Sequence, residues 1–185
     1  VTSIVTVTGP SSELVTLDEA RKHLRVDSTD EDDMILSWII AARQYCEAVT
    51  KRSFGVQSYR WKIDSFPSDR YLLFPMSPLV SVTSISYQDT NGDLQTFSDY
   101  IVNVDSVPGQ IYLDYDAYWP SIYDMPSAVT ILFTAGYAPA MVKTAIKMLV
   151  ADFYQNRETK ILGVSVVENA TVDRLLAPLT LYYLS

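Results

Sequence analysis

The spacing of apolar residues changes twice along this chain, and that change constrains the fold more than any single motif. Residues 16–52 repeat at helical spacing, residues from about 57 to 134 alternate with a period of two, and the helical spacing returns after Gly136. Thr16 suits a helix N-cap, and Glu19 stands three residues later, where a capping box needs its carboxylate. A short first helix is therefore predicted. A second is predicted to start after Ser28 or Thr29 with Asp30, Glu31, Asp32 and Asp33, whose charge suits the positive pole of a helix dipole. Ile35, Trp38, Ile39, Ala42, Cys46 and Val49 then recur as one buried stripe, and Lys51 and Arg52 close the helix with cations.

In the middle of the chain Tyr59, Trp61 and Ile63 alternate with Arg60, Lys62 and Asp64, the pattern of a half-buried strand. Residues 71–74 form a short apolar run cut by Pro75 and Pro78. Asn91 and Gly92 supply the dihedrals of a tight hairpin turn, and Pro108 and Gly109 mark another. The expectation for residues 57–134 is an antiparallel meander of about six or seven strands. A third helix is expected over residues 138–157, with Pro139 near its first position and Val142, Ile146, Leu149, Val150 and Phe153 on its apolar stripe. Residues 158–185 read as a C-terminal arm, with a strand or extended loop over 161–167 and a helical turn over 173–177. Residues 1–15 read as a short edge strand or as an arm that docks on a neighbour. The fold class expected is α+β in one domain spanning 1–185. It is expected to be a mainly helical core, two N-terminal helices plus one long helix after the strands, with the β-meander inserted.

At 185 residues the chain is long enough to bury a real core, and 48% hydrophobic with 19% charged is ordinary globular composition. A net charge of −8 argues against binding nucleic acid through phosphate neutralisation, which needs clustered Lys and Arg. It allows DNA to slide past an acidic wall without being gripped. One cysteine excludes an internal disulfide framework and a cysteine-based zinc cluster. No stretch approaches the roughly 20 apolar residues of a membrane span, and the N-terminus lacks the order of a signal peptide, so synthesis in the cytoplasm is expected.

Chemistry-bearing residues are few. His23, between Arg21 and Arg25 on the first helix, has no orienting partner nearby in sequence and reads as a surface or packing residue. Cys46 falls on the buried stripe and reads as core rather than nucleophile. The run from Asp30 to Asp33 fails the calcium-loop template, because counting from Asp27 puts Asp32 at the sixth position, where Gly is needed. Asp89, Asn91 and Asp93 resemble that template better, but Leu94 stands at the sixth position and a hairpin turn explains them. No phosphate loop and no nucleophile elbow is present. Tyr112, Tyr115, Tyr118, Trp119 and Tyr123 cluster on a segment broken by Pro120 and Pro126, so they cannot all line one buried strand face. They are read as an interface or as core filling under a long loop.

The order of these pieces resembles the gp6-like family of phage head-tail connector proteins. The matching residues are 17–27, then Asp30, Glu31, Asp32 and Asp33 leading into 40–43 and 46–52. Residues 73–85 and 87–92 follow, then Trp119 with Pro120, then 126–130, 133–137, 153–158 and 172–178. The match runs over roughly residues 15 to 180, leaving the first fifteen residues and the variable stretch 159–171 outside the clear pattern. The resemblance implies a helical part with a β-rich insertion, and a virion protein that is not an enzyme. It implies a homo-oligomeric ring beneath the portal protein, usually matched to a twelvefold portal, that extends the DNA channel after packaging. The ring would offer a surface to a stopper or tail-completion protein. DNA would pass without sequence-specific binding, with no membrane, cofactor or metal involved. The location implied is the head-tail junction of the virion, after assembly in the host cytoplasm. Tyr115, Tyr118, Trp119, Tyr123, Tyr182 and Tyr183 are the candidate interface residues, and Asp30, Glu31, Asp32 and Asp33 the candidate channel-lining acids. Two rival readings are a β-rich glycan- or protein-binding module using Tyr118, Trp119 and Tyr123, and a hydrolase using carboxylates that the sequence does not single out.

Overall fold

The computed structural model describes residues 2–156 and 170–181. The chain divides into two compact units, one from the N-terminus to Ser11 together with Gly55–Tyr137, the other from Ser12–Phe54 together with the residues from Ala138 onward. Residues 161–167, expected as a strand or extended loop, and Tyr182 and Tyr183 lie outside the described residues.

The first unit is all β. Its strands are β1 (Ser3–Thr8), β2 (Gln57–Ile63), β3 (Tyr71–Leu73), β4 (Leu79–Gln88), β5 (Leu94–Phe97), β6 (Tyr100–Asn103), β7 (Gln110–Leu113) and β8 (Val129–Ala135). They form two antiparallel sheets, a five-stranded one in the order β1-β2-β8-β4-β5 and a three-stranded one in the order β3-β7-β6. Buried residues alternate with half-buried ones on β8, and with half-buried or exposed ones on β2, which aims Tyr59, Trp61, Ile131 and Phe133 into a core. That core also receives Phe74, Ile111 and Leu113. Tyr59 stacks on Phe133 with centroids 5.3 Å apart, and Phe74 meets Phe133 edge-on at 4.9 Å. Each such ring contributes about 2 kcal/mol of burial, which makes this aromatic layer the main support of the unit.

The second unit is helical: α1 (Leu17–Leu24), α2 (Asp32–Thr50), α3 (Ala140–Gln155) and α4 (Ala170–Leu176), followed by a 3-10 turn, Ala177–Leu179. The capping box at α1 forms as its residues predict: the Glu19 N–H donates to Thr16 Oγ1 at 3.2 Å, and the Thr16 N–H donates to Glu19 Oε2 at 3.0 Å. On α2 the buried residues are Ile35, Ile39, Ala42, Arg43, Cys46 and Thr50. Val49, expected on the stripe, is 38% exposed instead. Thr50 takes the inward position because its hydroxyl donates to the Cys46 carbonyl at 2.7 Å, which satisfies the buried polar group within the helix. Arg43 is admitted to the interior by two carboxylates, Glu13 and Glu47, each 2.8 Å away.

The mainly helical expectation is overturned. The protein is α+β, with eight strands in two sheets beside four α-helices among the described residues. Two physical reasons account for it. Residues 3–8 pair with β2 and so enlarge the sheet from outside the predicted insertion. The strands are also not a meander, because β8 lies between β2 and β4 and pairs with both. Helix placement differs as well. The second helix starts at Asp32, leaving Asp30 and Glu31 before it, the third runs Ala140–Gln155, and a fourth covers Ala170–Leu176.

Candidate assembly surfaces

In the β unit the segment after β7 is tied down at several points. Arg70 donates to the carbonyl of Asp114 at 2.9 Å, and the Trp119 indole N–H donates to the Asp69 carbonyl at 2.7 Å. The Tyr123 N–H donates to the Gln88 carbonyl at 2.9 Å. Trp119 lies flat on Phe66 with ring centroids 4.8 Å apart and planes 9° from parallel, and it touches Phe97 as well. It is therefore an anchor of the loop rather than a free platform, and a sugar would find one of its faces already occupied. The anchored segment carries Tyr115 at 89% exposure, Tyr118 at 78% and Tyr123 at 49%. Rings this exposed contribute little to the fold, and tyrosine is enriched where proteins meet.

A second aromatic surface escapes the sequence pattern. The register pairs Tyr112 with Tyr71 on one side and with Ile101 on the other, so the three side chains form one row across the small sheet. Leu72 and Ile111, one residue along, are buried, which leaves the row on the outer face. Tyr71 and Tyr112 have ring centroids 5.9 Å apart. Tyr112 was noticeable in sequence as part of the aromatic cluster. Tyr71 and Ile101 were not, since only strand pairing brings them beside it.

In the helical unit the four acids separate into two pairs. Glu31 accepts the Tyr154 hydroxyl at 2.9 Å, and Asp32 lies 3.6 Å from the Arg21 guanidinium. Asp30 and Asp33 are exposed, with Asp30 accepting the Ser28 hydroxyl at 2.7 Å. Two of the acids thus stabilise local structure, and two face solvent.

Asp89, Asn91 and Asp93 form a turn. Asp89 Oδ1 accepts the N–H groups of Asn91 at 2.9 Å and Asp93 at 3.0 Å, and Oδ2 accepts the Gln95 amide. Those donors, the Asp93 N–H foremost, hold the Asp89 carboxyl below the usual carboxylate range. The carboxylate is occupied in closing the β4–β5 hairpin. His23 is exposed on α1. Burial, with the Glu47 charge beside it, pushes the Cys46 thiol up to about 12, so at neutral pH it carries no nucleophilic thiolate. Among the described residues no group of three or more His, Cys, Asp or Glu side chains converges as a metal site requires, and no helix is long and apolar enough to cross a membrane.

No curated protein matches the chain. Among solved structures, a chain from the neck of an empty GTA particle computed with C6 symmetry superposes with a TM-score of 0.82 at 24% identity, over 98% of this chain and 97% of that one. A chain from the neck of a native GTA particle computed with C12 symmetry gives 0.79 at 22% identity over the same shares. A chain from the virion of a native gene transfer agent particle gives 0.78, also at 22% identity and over the same shares. At these identities the likeness establishes a common fold. The family model for head completion protein matches residues 13–168, most of the length, from the loop before α1 through all of the β strands except β1 and on past α3. The chain belongs to the head completion protein family.

Proposed function

We propose that this protein is a non-enzymatic subunit of a ring that joins the phage portal to the tail or stopper and extends the DNA channel once packaging is complete. The observation that carries the reading is the head completion match over residues 13–168, and the fold shared with chains of particle necks supports it. Residues 1–185 act together as one connector subunit. Copies assemble in the host cytoplasm and come to rest at the head-tail junction. Tyr115, Tyr118 and Tyr123 meet a neighbouring protein there, and Trp119 holds the loop that carries them. Tyr182 and Tyr183 are further interface residues in this reading. Of the acids, Asp30 and Asp33 are the better channel-lining candidates, since Glu31 and Asp32 are engaged within the helical unit. Exposed carboxylates repeated around a channel repel phosphates and favour sliding over sticking.

The test is deletion of the gene with complementation. Particles without the protein should package DNA yet fail to join tails or retain the genome. Purified protein should form rings at high concentration or on portal complexes, seen by native mass spectrometry. Normal infectious particles after deletion would refute the reading.

A further inference from the structure

Strand β1 ends the five-stranded sheet, so one of its backbone edges pairs with β2 and the other faces outward. Its six residues, SIVTVT, are all exposed, including Ile4 at 40%, Val5 at 48% and Val7 at 55%. Exposed edge strands are normally protected by lysine, by proline or by a covering segment, because their free N–H and C=O groups template pairing with another chain. β1 has no charged residue and no proline, and its register with β2 is regular from Ser3 to Thr6, with irregularity only toward Thr8. Opposed residues share a face, so Ile4, across from the buried Trp61, lies on the core side of the sheet. The apolar layer therefore continues to a margin that the described residues leave uncovered.

We infer that the outer edge of β1 is covered by a neighbouring copy of this chain, which extends the five-stranded sheet across the subunit boundary. The inference rests on the ring reading above, in which each copy has an identical neighbour on either side, joined head to tail through two different surfaces. Charge favours this place for the contact. Two copies at −8 each repel one another, and β1 offers six consecutive residues without an ionisable side chain, where backbone hydrogen bonds form with no like charges opposed.

Hydrogen–deuterium exchange over residues 2–8, followed in monomer and in assembled ring, tests it together with a Val5→Lys/Val7→Lys variant studied by sedimentation and native mass spectrometry. Both valines are about half exposed, so the variant should melt as the wild type does. Assembly is expected to slow exchange of the β1 amides, and the variant to weaken self-association by about tenfold or more. Rings in which β1 exchanges as fast as in the monomer would overturn the proposal while leaving the ring reading intact. So would protection that appears only when a different virion protein is added. If the variant fails to fold, exchange in the wild type still decides. Wild-type protein that forms no ring, alone or on portals, would remove the ring reading and this one with it.

Discussion

Arg43 sits inside the helical unit, with its side chain 7% exposed and its guanidinium between Glu13, ahead of α1, and Glu47, one turn further along α2. Glu47 is used twice, since its other oxygen accepts the Phe54 N–H at 2.9 Å. Removing the arginine leaves two carboxylates facing each other in a poorly solvated place. Arg43→Met is expected to lower stability by about 3 kcal/mol or more, measured by urea unfolding. Adding Glu13→Gln should recover part of that loss; full additivity of the two changes would show that the pair is not coupled. Glu19 is a residue-scale case with a pH signature. The Thr16 N–H, and after it the charges of Lys147 and Lys143, hold its carboxyl below the usual range. A carboxyl lowered on folding adds stability that is fully present above its unfolded pKa and disappears as pH falls through the lower folded value. The unfolding midpoint of the wild type should therefore exceed that of Glu19→Gln near neutral pH, and the gap should shrink as the pH falls below the ordinary carboxylate range. A gap independent of pH would mean that the side chain acts by packing alone.

Elements bring different constraints. Gly136, just after β8, has φ +138°, and a Cβ there would fall 2.0 Å from the Gly55 carbonyl oxygen. Its N–H donates to the Pro78 carbonyl at 2.9 Å, so the close approach is locked from two sides. Gly136→Ala is expected to destabilise by about 3 kcal/mol or more, against less than about 1 kcal/mol for Gly9→Ala, which has open space around it. Equal melting temperatures for the two variants would sink that account. The sequence marked Gly136 as a turn but could not show the backbone it passes. The same limit explains what was legible elsewhere. The capping box of α1 and the core positions of β2 are local signals and stand as the sequence indicates, and so does the hairpin between β4 and β5, although only Gly92 of its Asn-Gly pair has positive φ. Strand order is not local: nothing in residues 129–135 says that they lie between β2 and β4 rather than at an edge. For that reason the meander fails, and the mainly helical core fails with it because residues 3–8 add a strand from outside the insertion. Among the candidate site residues, the cluster from Tyr115 to Tyr123 was visible as aromatics on a proline-broken segment. The division of labour within it was not, because Trp119 gets its role from Phe66 and Asp69, far away in sequence.

For the molecule as a whole, the tyrosines allow the proposed assembly role to be tested apart from folding. Tyr115, Tyr118 and Tyr123 make no described side-chain contribution to the core, whereas their loop is held by Arg70, Trp119 and the Gln88 carbonyl. Changing all three to Ser should therefore leave the melting transition within about 1 kcal/mol of wild type, since exposed positions rarely matter more. If these rings are buried against a neighbouring protein, each loses about 1–2 kcal/mol of contact on substitution, and the triple variant should bind portal complexes about a hundredfold more weakly or worse. Trp119→Ala should behave in the opposite order. Unfolding would be affected first, by about 3 kcal/mol, because a stacked ring and a hydrogen bond are lost together, and binding would fall only as the loop loosens. Measuring melting and portal binding on both variants distinguishes a presented surface from the scaffold beneath it. A triple-serine variant that binds portals and joins tails as the wild type does would exclude this loop as the contact and leave the Tyr71, Tyr112 and Ile101 row as the remaining aromatic face of the unit.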